Sequence, residues 1–212
     1  MPAKVPFTFV KNQFWPYLTY TATKMINKLT AEIKKIADFS DDEIDRFFGY
    51  LEEDIIPKGG HFLQFGQVSH FVAYITSGLV MHYQLSDGIE IPIDFTPQGE
   101  WLAYLKSFTS GNPSEMALKA LEETRILKLS ATKMQQLFNW QPKFIAMKYF
   151  YTEVSFMNYA QHSADLAMLD GRERYNKFMR EKPDLINRIP QYYIAAYLGI
   201  KPQSLSRLRK AR

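Results

Sequence analysis

The chain has 212 residues, 46% of them apolar, enough to bury one sizeable core or two small ones without covalent staples. It contains no cysteine, which excludes disulfides, thiolate zinc sites, cysteine-ligated iron–sulfur clusters and a cysteine nucleophile, and fits a reducing cytoplasm. The net charge of +4 conceals an asymmetry, since residues 171–212 carry 11 Lys/Arg against three acidic groups while the first 170 carry 15 basic and 19 acidic ones. That is the footprint of a basic C-terminal module built to meet phosphate.

Residues 1–24 gather Phe7, Phe9, Phe14, Trp15, Tyr17 and Tyr20 among Pro2, Pro6 and Pro16 without helical or strand period. They read either as an arm that packs on the body or as non-native sequence, with Met25 as an alternative start. The apolar run Val5 to Val10 is cut by Lys11 and Asn12 and no clean cleavage site follows, so no signal peptide is expected. No stretch approaches the roughly 18 uncharged apolar residues of a membrane span. A soluble, cytoplasmic chain without a membrane partner is the expectation.

From Ser40 the pattern sharpens. Ser40 and Glu43 match a capping box, and Ile44, Phe47, Phe48 and Leu51 follow at helical spacing, which predicts a short amphipathic helix. Between Ile55 and Ser130 short β-type runs alternate with turn signals: Lys58-Gly59-Gly60, Gly66, Ser77-Gly78, Asp87-Gly88 and Pro97-Gln98-Gly99. The clearest strands are Phe71–Ile75, Leu79–Leu85, Ile89–Phe95 and Arg125–Leu129, and turns recurring about every 10 residues predict an antiparallel sandwich or jelly roll.

After Gln141-Pro142 a helix is predicted to run to about Met168. Met147, Phe150, Val154, Met157, Gln161, Ala164 and Met168 alternate by three and four along it, a heptad stripe suited to a second helix. Phe144, Tyr151 and Phe156 lie off that stripe, so one face should pack on the chain's own barrel and the other on a partner. Leu169-Asp170-Gly171 breaks the helix, Asp170 with Glu173 resembles a new cap, and a hinge is expected there.

Residues 191–210 fit the twenty-residue helix-turn-helix template. The small residue where the helices touch is Ala195, the turn glycine is Gly199, and the core places hold Ile194, Leu198, Ile200, Leu205 and Leu208. Pro190 and Pro202 fall in the first turn of each helix, where a missing N–H costs nothing. The second helix then presents Gln203, Ser204, Ser206, Arg207, Arg209 and Lys210, the donor types that read base edges and hold phosphates in a major groove.

With these residues in view, positions 28–212 resemble the catabolite-activator (Crp/Fnr) family. The resemblance is carried by Arg188-Ile-Pro-Gln-Tyr-Tyr-Ile-Ala-Ala-Tyr-Leu-Gly199-Ile-Lys-Pro-Gln-Ser-Leu-Ser-Arg-Leu-Arg209-Lys. It also rests on Phe39-Ser40, Pro57-Lys58-Gly59-Gly60, Gly66 and Ile75-Thr76-Ser77-Gly78. It implies an α+β fold with an N-terminal antiparallel β-roll of cyclic-nucleotide-binding type, a long dimerisation helix and a C-terminal helix-turn-helix domain of winged-helix type. The expected division is 1–27 arm, 28–141 roll, 142–169 dimer helix and 170–212 DNA-binding domain. The implied partners are a second copy of the chain, double-stranded DNA with a palindromic operator, and RNA polymerase.

Cyclic-nucleotide binders of this family hold the ribose with a glutamate after a glycine and the phosphate with an arginine followed by Ser/Thr and Ala. Gly99, Glu100 and Ser114 match, marking candidate effector residues, but Pro113 stands at the arginine position and Glu115 at the alanine position. An anion would lose its charge-assisted partner and meet a negative charge, so cyclic AMP is not the expected effector and no cofactor is assigned. His61, His70, His82 and His162 show no metal-ligand spacing, and no nucleophile–base arrangement is evident. A regulator rather than an enzyme is the leading expectation; the rival is a cupin-like small-molecule-binding protein or enzyme with an accessory helical tail.

Overall fold

The computed structural model describes residues 20–210; the aromatic cluster at Phe7 to Tyr17 lies outside the described residues. The first element is helix α1 (Tyr20–Ile36), which crosses the expected arm–roll boundary at 27–28. Ala22, Ile26, Leu29 and Ile33 are its buried positions, spaced four, three and four apart so that one stripe faces the core. The Tyr74 hydroxyl donates to the Met25 carbonyl at 3.1 Å and ties the helix to the sheet beneath.

Helix α2 (Asp41–Phe48) starts at the predicted capping box. Glu43 N–H donates to Ser40 Oγ at 3.2 Å, and Ser40 N–H donates to Glu43 Oε2 at 2.8 Å. Eight strands follow: β1 (Glu52–Ile56), β2 (His61–Leu63), β3 (Phe71–Ser77), β4 (Leu79–Ser86), β5 (Ile89–Pro97), β6 (Trp101–Leu102), β7 (Ala117–Ala120) and β8 (Thr124–Ser130), with the short helix α3 (Leu105–Ser110) before β7. They form two four-stranded antiparallel sheets, ordered β1-β8-β3-β6 and β2-β7-β4-β5, the expected jelly roll. Gly78 turns β3 into β4 at φ +105°, and a Cβ there would lie 2.5 Å from Thr124 Oγ1, so both backbone and space demand glycine.

Between the sheets lie Ala73, Ile75, Val80, Leu102, Leu118, Ala120 and Ile126; burying each Ile, Leu or Val contributes about 1.5–3 kcal/mol. The outer face of the first sheet, with Val72, Tyr74, Leu127 and Leu129, is covered by α1, α2 and the helices that follow β8. Those are α4 (Ala131–Trp140), capped by Ser130, and the 25-residue α5 (Phe144–Met168). Helix α6 (Gly171–Glu181) follows with a capping box made by Asp170 and Glu173. A 3₁₀ turn (Pro183–Leu185), α7 (Gln191–Tyr197) and α8 (Pro202–Lys210) complete the described chain. All described strands precede residue 131, so the C-terminal domain is helical, with no wing strand among the described residues.

The hinge expected at Leu169–Gly171 changes direction without separating two bodies. Tyr175, Phe178, Leu185, Ile186, Ile189, Ile194 and Leu205 form one core with Leu79, Met81, Tyr83, Phe95 and Ala117 of the second sheet. The sheet face left apolar by the roll is thus covered by the chain's own C-terminal helices.

Candidate functional site

In the helix-turn-helix, Gly199 adopts φ +63°, Ile200 N–H donates to the Ala195 carbonyl at 2.9 Å, and Ile194, Ala195, Leu198 and Leu205 are buried. Ile200 and Leu208 pack partly buried against them. On α8, Gln203, Arg207 and Lys210 are exposed, while Ser204, Ser206 and Arg209 are half-buried on its flanks. Arg207, Arg209 and Lys210 have no ion-pair partner among the described residues. The helix therefore offers uncompensated positive charge on a rigid two-helix base, the electrostatic requirement for a phosphate backbone.

Several contacts fix this pair to the roll. Arg188 grips Glu122 through Nε at 2.8 Å and Nη2 at 2.7 Å, and Nη2 also donates to the Gly78 carbonyl at 3.0 Å and Gln98 Oε1 at 2.9 Å. The Arg188 guanidinium holds the Glu122 carboxyl below its ordinary range. Lys182 pairs with Asp94 at 3.3 Å, and the Tyr193 hydroxyl donates to Glu90, which Lys119 also meets at 2.8 Å. His162 of α5 stacks on Tyr197 of α7, centroids 4.1 Å apart and 5° from parallel, and Phe95 meets the same tyrosine edge-on.

At the break, Arg174 donates to the Leu198 carbonyl at 2.7 Å and to the carbonyls of Leu166 and Leu169, clamping the end of α5 to the end of α7. A Cβ on Gly171 would come within 2.5 Å of Ile200 Cγ2, so this glycine permits close approach.

Along α5 the structure corrects one expected interface residue. Met147 is buried with Phe144 in the roll's own core, because Phe144 stacks on Phe47 and packs against Phe39 and turns the first part of the stripe inward. Phe150, Val154 and Met157 remain 44%, 40% and 62% exposed, and Gln161 and Ala164 are exposed beyond them. Tyr149, Phe156 and Met168 widen this apolar face. Tyr151 turns inward against Trp101.

The three candidate effector residues are engaged differently. The Gly99 carbonyl accepts from Lys28 Nζ at 2.9 Å. Ser114 is buried and its hydroxyl is engaged by Met116, donating to its carbonyl at 2.5 Å and accepting from its N–H at 3.1 Å. Only Glu100 lines the large chamber of about 390 Å³ that lies among the roll, α4 and α5. Burial pushes the Glu100 carboxyl above its ordinary range, and Asp94 adds to this, against Lys182 and Lys28. Glu115 turns away to pair with Lys106 at 2.5 Å.

The chamber's lining also includes His82, Asp94, Thr96 and Tyr159. His82 Nε2 shares a hydrogen bond with Thr96 Oγ1 at 2.8 Å, and its Nδ1 one with the Tyr159 hydroxyl at 3.3 Å. Burial lowers the His82 pKa, with Lys182 acting the same way and Asp94 opposing. Sequence spacing could not find this group, because β4, β5 and α5 meet only in three dimensions. The alternation of β4 alone places His82 opposite the Met81 side.

No protein-family profile matches the chain, and no curated protein does. Solved structures do share its architecture. The c-di-GMP-responsive global regulator CLP of Xanthomonas campestris is 19% identical over 81% of this chain and 91% of its own, with a TM-score of 0.64. FixK2 of Bradyrhizobium japonicum is 18% identical over 76% and 83%, with a TM-score of 0.67. The Thermus thermophilus Catabolite Activator Protein is 18% identical over 83% and 84%, with a TM-score of 0.53. The α+β arrangement of roll, long helix and terminal helix pair is the fold of the Crp/Fnr regulators.

Proposed function

We propose that this chain is a homodimeric, sequence-specific DNA-binding transcription regulator acting in the cytoplasm, with α8 as recognition helix and the roll as effector domain. The observation that carries this is the uncompensated basic face of α8 on its buried two-helix core. The exposed apolar face of α5 supports pairing of two copies. Two recognition helices related by a two-fold axis would enter successive major grooves of a palindromic operator with half-sites about 34 Å apart. RNA polymerase is the partner through which such a protein would act on transcription.

Selection from a random DNA library tests the reading, followed by two variants. Arg207→Ala should cost about 1–3 kcal/mol on the best site and relax preference at one base pair. Lys210→Ala should weaken all sequences alike and reduce the salt slope by about one. An asymmetric consensus, or an Arg207→Ala protein with unchanged affinity and preference, would contradict the assignment.

Cyclic AMP is not the effector in this reading. Pro113 supplies no cation, Ser114 spends its hydroxyl on Met116, and loss of a charge-assisted hydrogen bond costs about 1.5–3 kcal/mol. Calorimetry should show no saturable micromolar uptake; a saturable isotherm would overturn this part.

A further inference from the structure

We propose that the chamber between the roll and α5 is a binding site for an apolar, ring-bearing molecule that carries no negative charge and offers a hydrogen-bond donor to Glu100. This deepens the effector-domain part of the function proposed above by naming the ligand's chemical class.

The volume of about 390 Å³ falls in the range of small-ligand sites, and so does the chemistry of the walls. Most of the lining is side-chain carbon: Leu129, Met134, Leu137, Phe138 and Met147 among others, with Trp101 and Phe108 supplying ring faces. A void of this size lined by methionines and aromatics favours a flat apolar body, since thioethers and rings adapt to its surface. Polar side chains also line the chamber, among them Thr152, Ser155 and Asn158 of α5 and the buried, unpartnered Trp101 Nε1, while the deeper ones have partners. His82, Thr96 and Tyr159 bond to one another, and Asp94 is held by Lys182.

Glu100 differs. Its side chain is exposed and lines the chamber, and its carboxylate has no hydrogen bond or ion pair among the described residues. It is an acceptor awaiting a donor. The lysines Lys106 and Lys148 also line the chamber and are exposed, so water screens them, and Lys106 is already paired with Glu115. Glu100 and Asp94 place two carboxylates on the lining, while the nearby cations are engaged, Lys182 by Asp94 and Lys28 by the Gly99 carbonyl, so the chamber disfavours anions. Gly99 and Ser114, which match the ribose and phosphate positions of the cyclic-nucleotide pattern, are not part of the lining.

The test uses two dyes with the same rings. N-phenyl-1-naphthylamine is neutral and bears one N–H donor; 1-anilinonaphthalene-8-sulfonate adds only an anionic group. Titrated by fluorescence into the full chain without DNA, the neutral dye should saturate at one per chain. The sulfonate should bind at least tenfold more weakly. Glu100→Gln should narrow that gap, and Ala103→Leu and Met134→Trp, which fill the chamber from two sides, should each weaken the neutral dye at least tenfold.

Equal or tighter binding of the sulfonate, or no saturable binding of the neutral dye, overturns the proposal, and neither result depends on any variant folding. Loss of the signal in Val154→Asp but not in the chamber variants would place the dye on the exposed face of α5 and also overturn it. Because no DNA is present, failure here leaves the DNA-binding reading standing, and failure of library selection leaves the chamber standing.

Discussion

His82 sits where both β4 and β5 and the long helix converge, bonded to Thr96 and Tyr159 and fully enclosed. Burial favours its neutral ring and lowers its pKa below the ordinary 6.5. In the unfolded chain the same ring takes up a proton as pH falls through 6.5. Stability is therefore fully present above that value and is lost as pH falls toward the lowered folded pKa. His162, stacked on Tyr197, is depressed for the same reason, burial first. Thermal midpoints by circular dichroism should drop between about pH 7.5 and about pH 5.5. His82→Gln, which keeps polar contacts without titrating, should flatten part of that slope and leave the share of His162. A variant with the wild-type slope would show that His82 does not govern it.

At the scale of elements, α5 is a helix with two duties. Its N-terminal turns are core, through Phe144 and Met147. Beyond them Phe150, Val154, Met157 and Phe156 stand in solvent on the single chain, an apolar patch that a soluble protein normally covers. A second copy laid along it would bury these residues and leave the polar flanks outside. Val154→Asp should then yield a monomer by sedimentation with the roll still folded, since Val154 is exposed and belongs to none of the buried clusters. A dimer mass in that variant would exclude this helix as the interface.

At the scale of the whole molecule, the C-terminal helices and the roll share one apolar core and a set of polar ties. Arg188 is the densest of these, joining Glu122, Gln98 and the Gly78 turn. Arg188→Ala would leave the Glu122 carboxylate without its main partner, and losing hydrogen bonds to a charged, half-buried group should cost about 1–3 kcal/mol. Hydrogen exchange should accelerate in β5 and α7 while β3 and β8 stay protected. Unchanged exchange across β5 and α7 would mean that the apolar contact alone holds the helices in place.

The sequence by itself determined what depends on neighbours along the chain. Ser40 with Glu43 and Asp170 with Glu173 cap helices because both partners of each box lie within one turn. Gly199 and Ala195 declare the helix-turn-helix because its core spacing is local, and the strands of the roll announce themselves by turns at Gly78 and Gly88. Helix α1 was equally legible in Ala22, Ile26, Leu29 and Ile33 but was masked by the aromatic, proline-rich run before it.

What only the tertiary structure decided depends on distant residues meeting. Met147 leaves the heptad stripe because Phe144 beside it finds Phe39 and Phe47. Ser114 gives its hydroxyl to Met116 and Glu115 its carboxylate to Lys106, engagements that the spacing of the matched effector positions does not reveal. The chamber itself, with His82 and Tyr159 separated by 77 positions, exists only because a long helix lies across a closed roll, and residue spacing carries no record of that void.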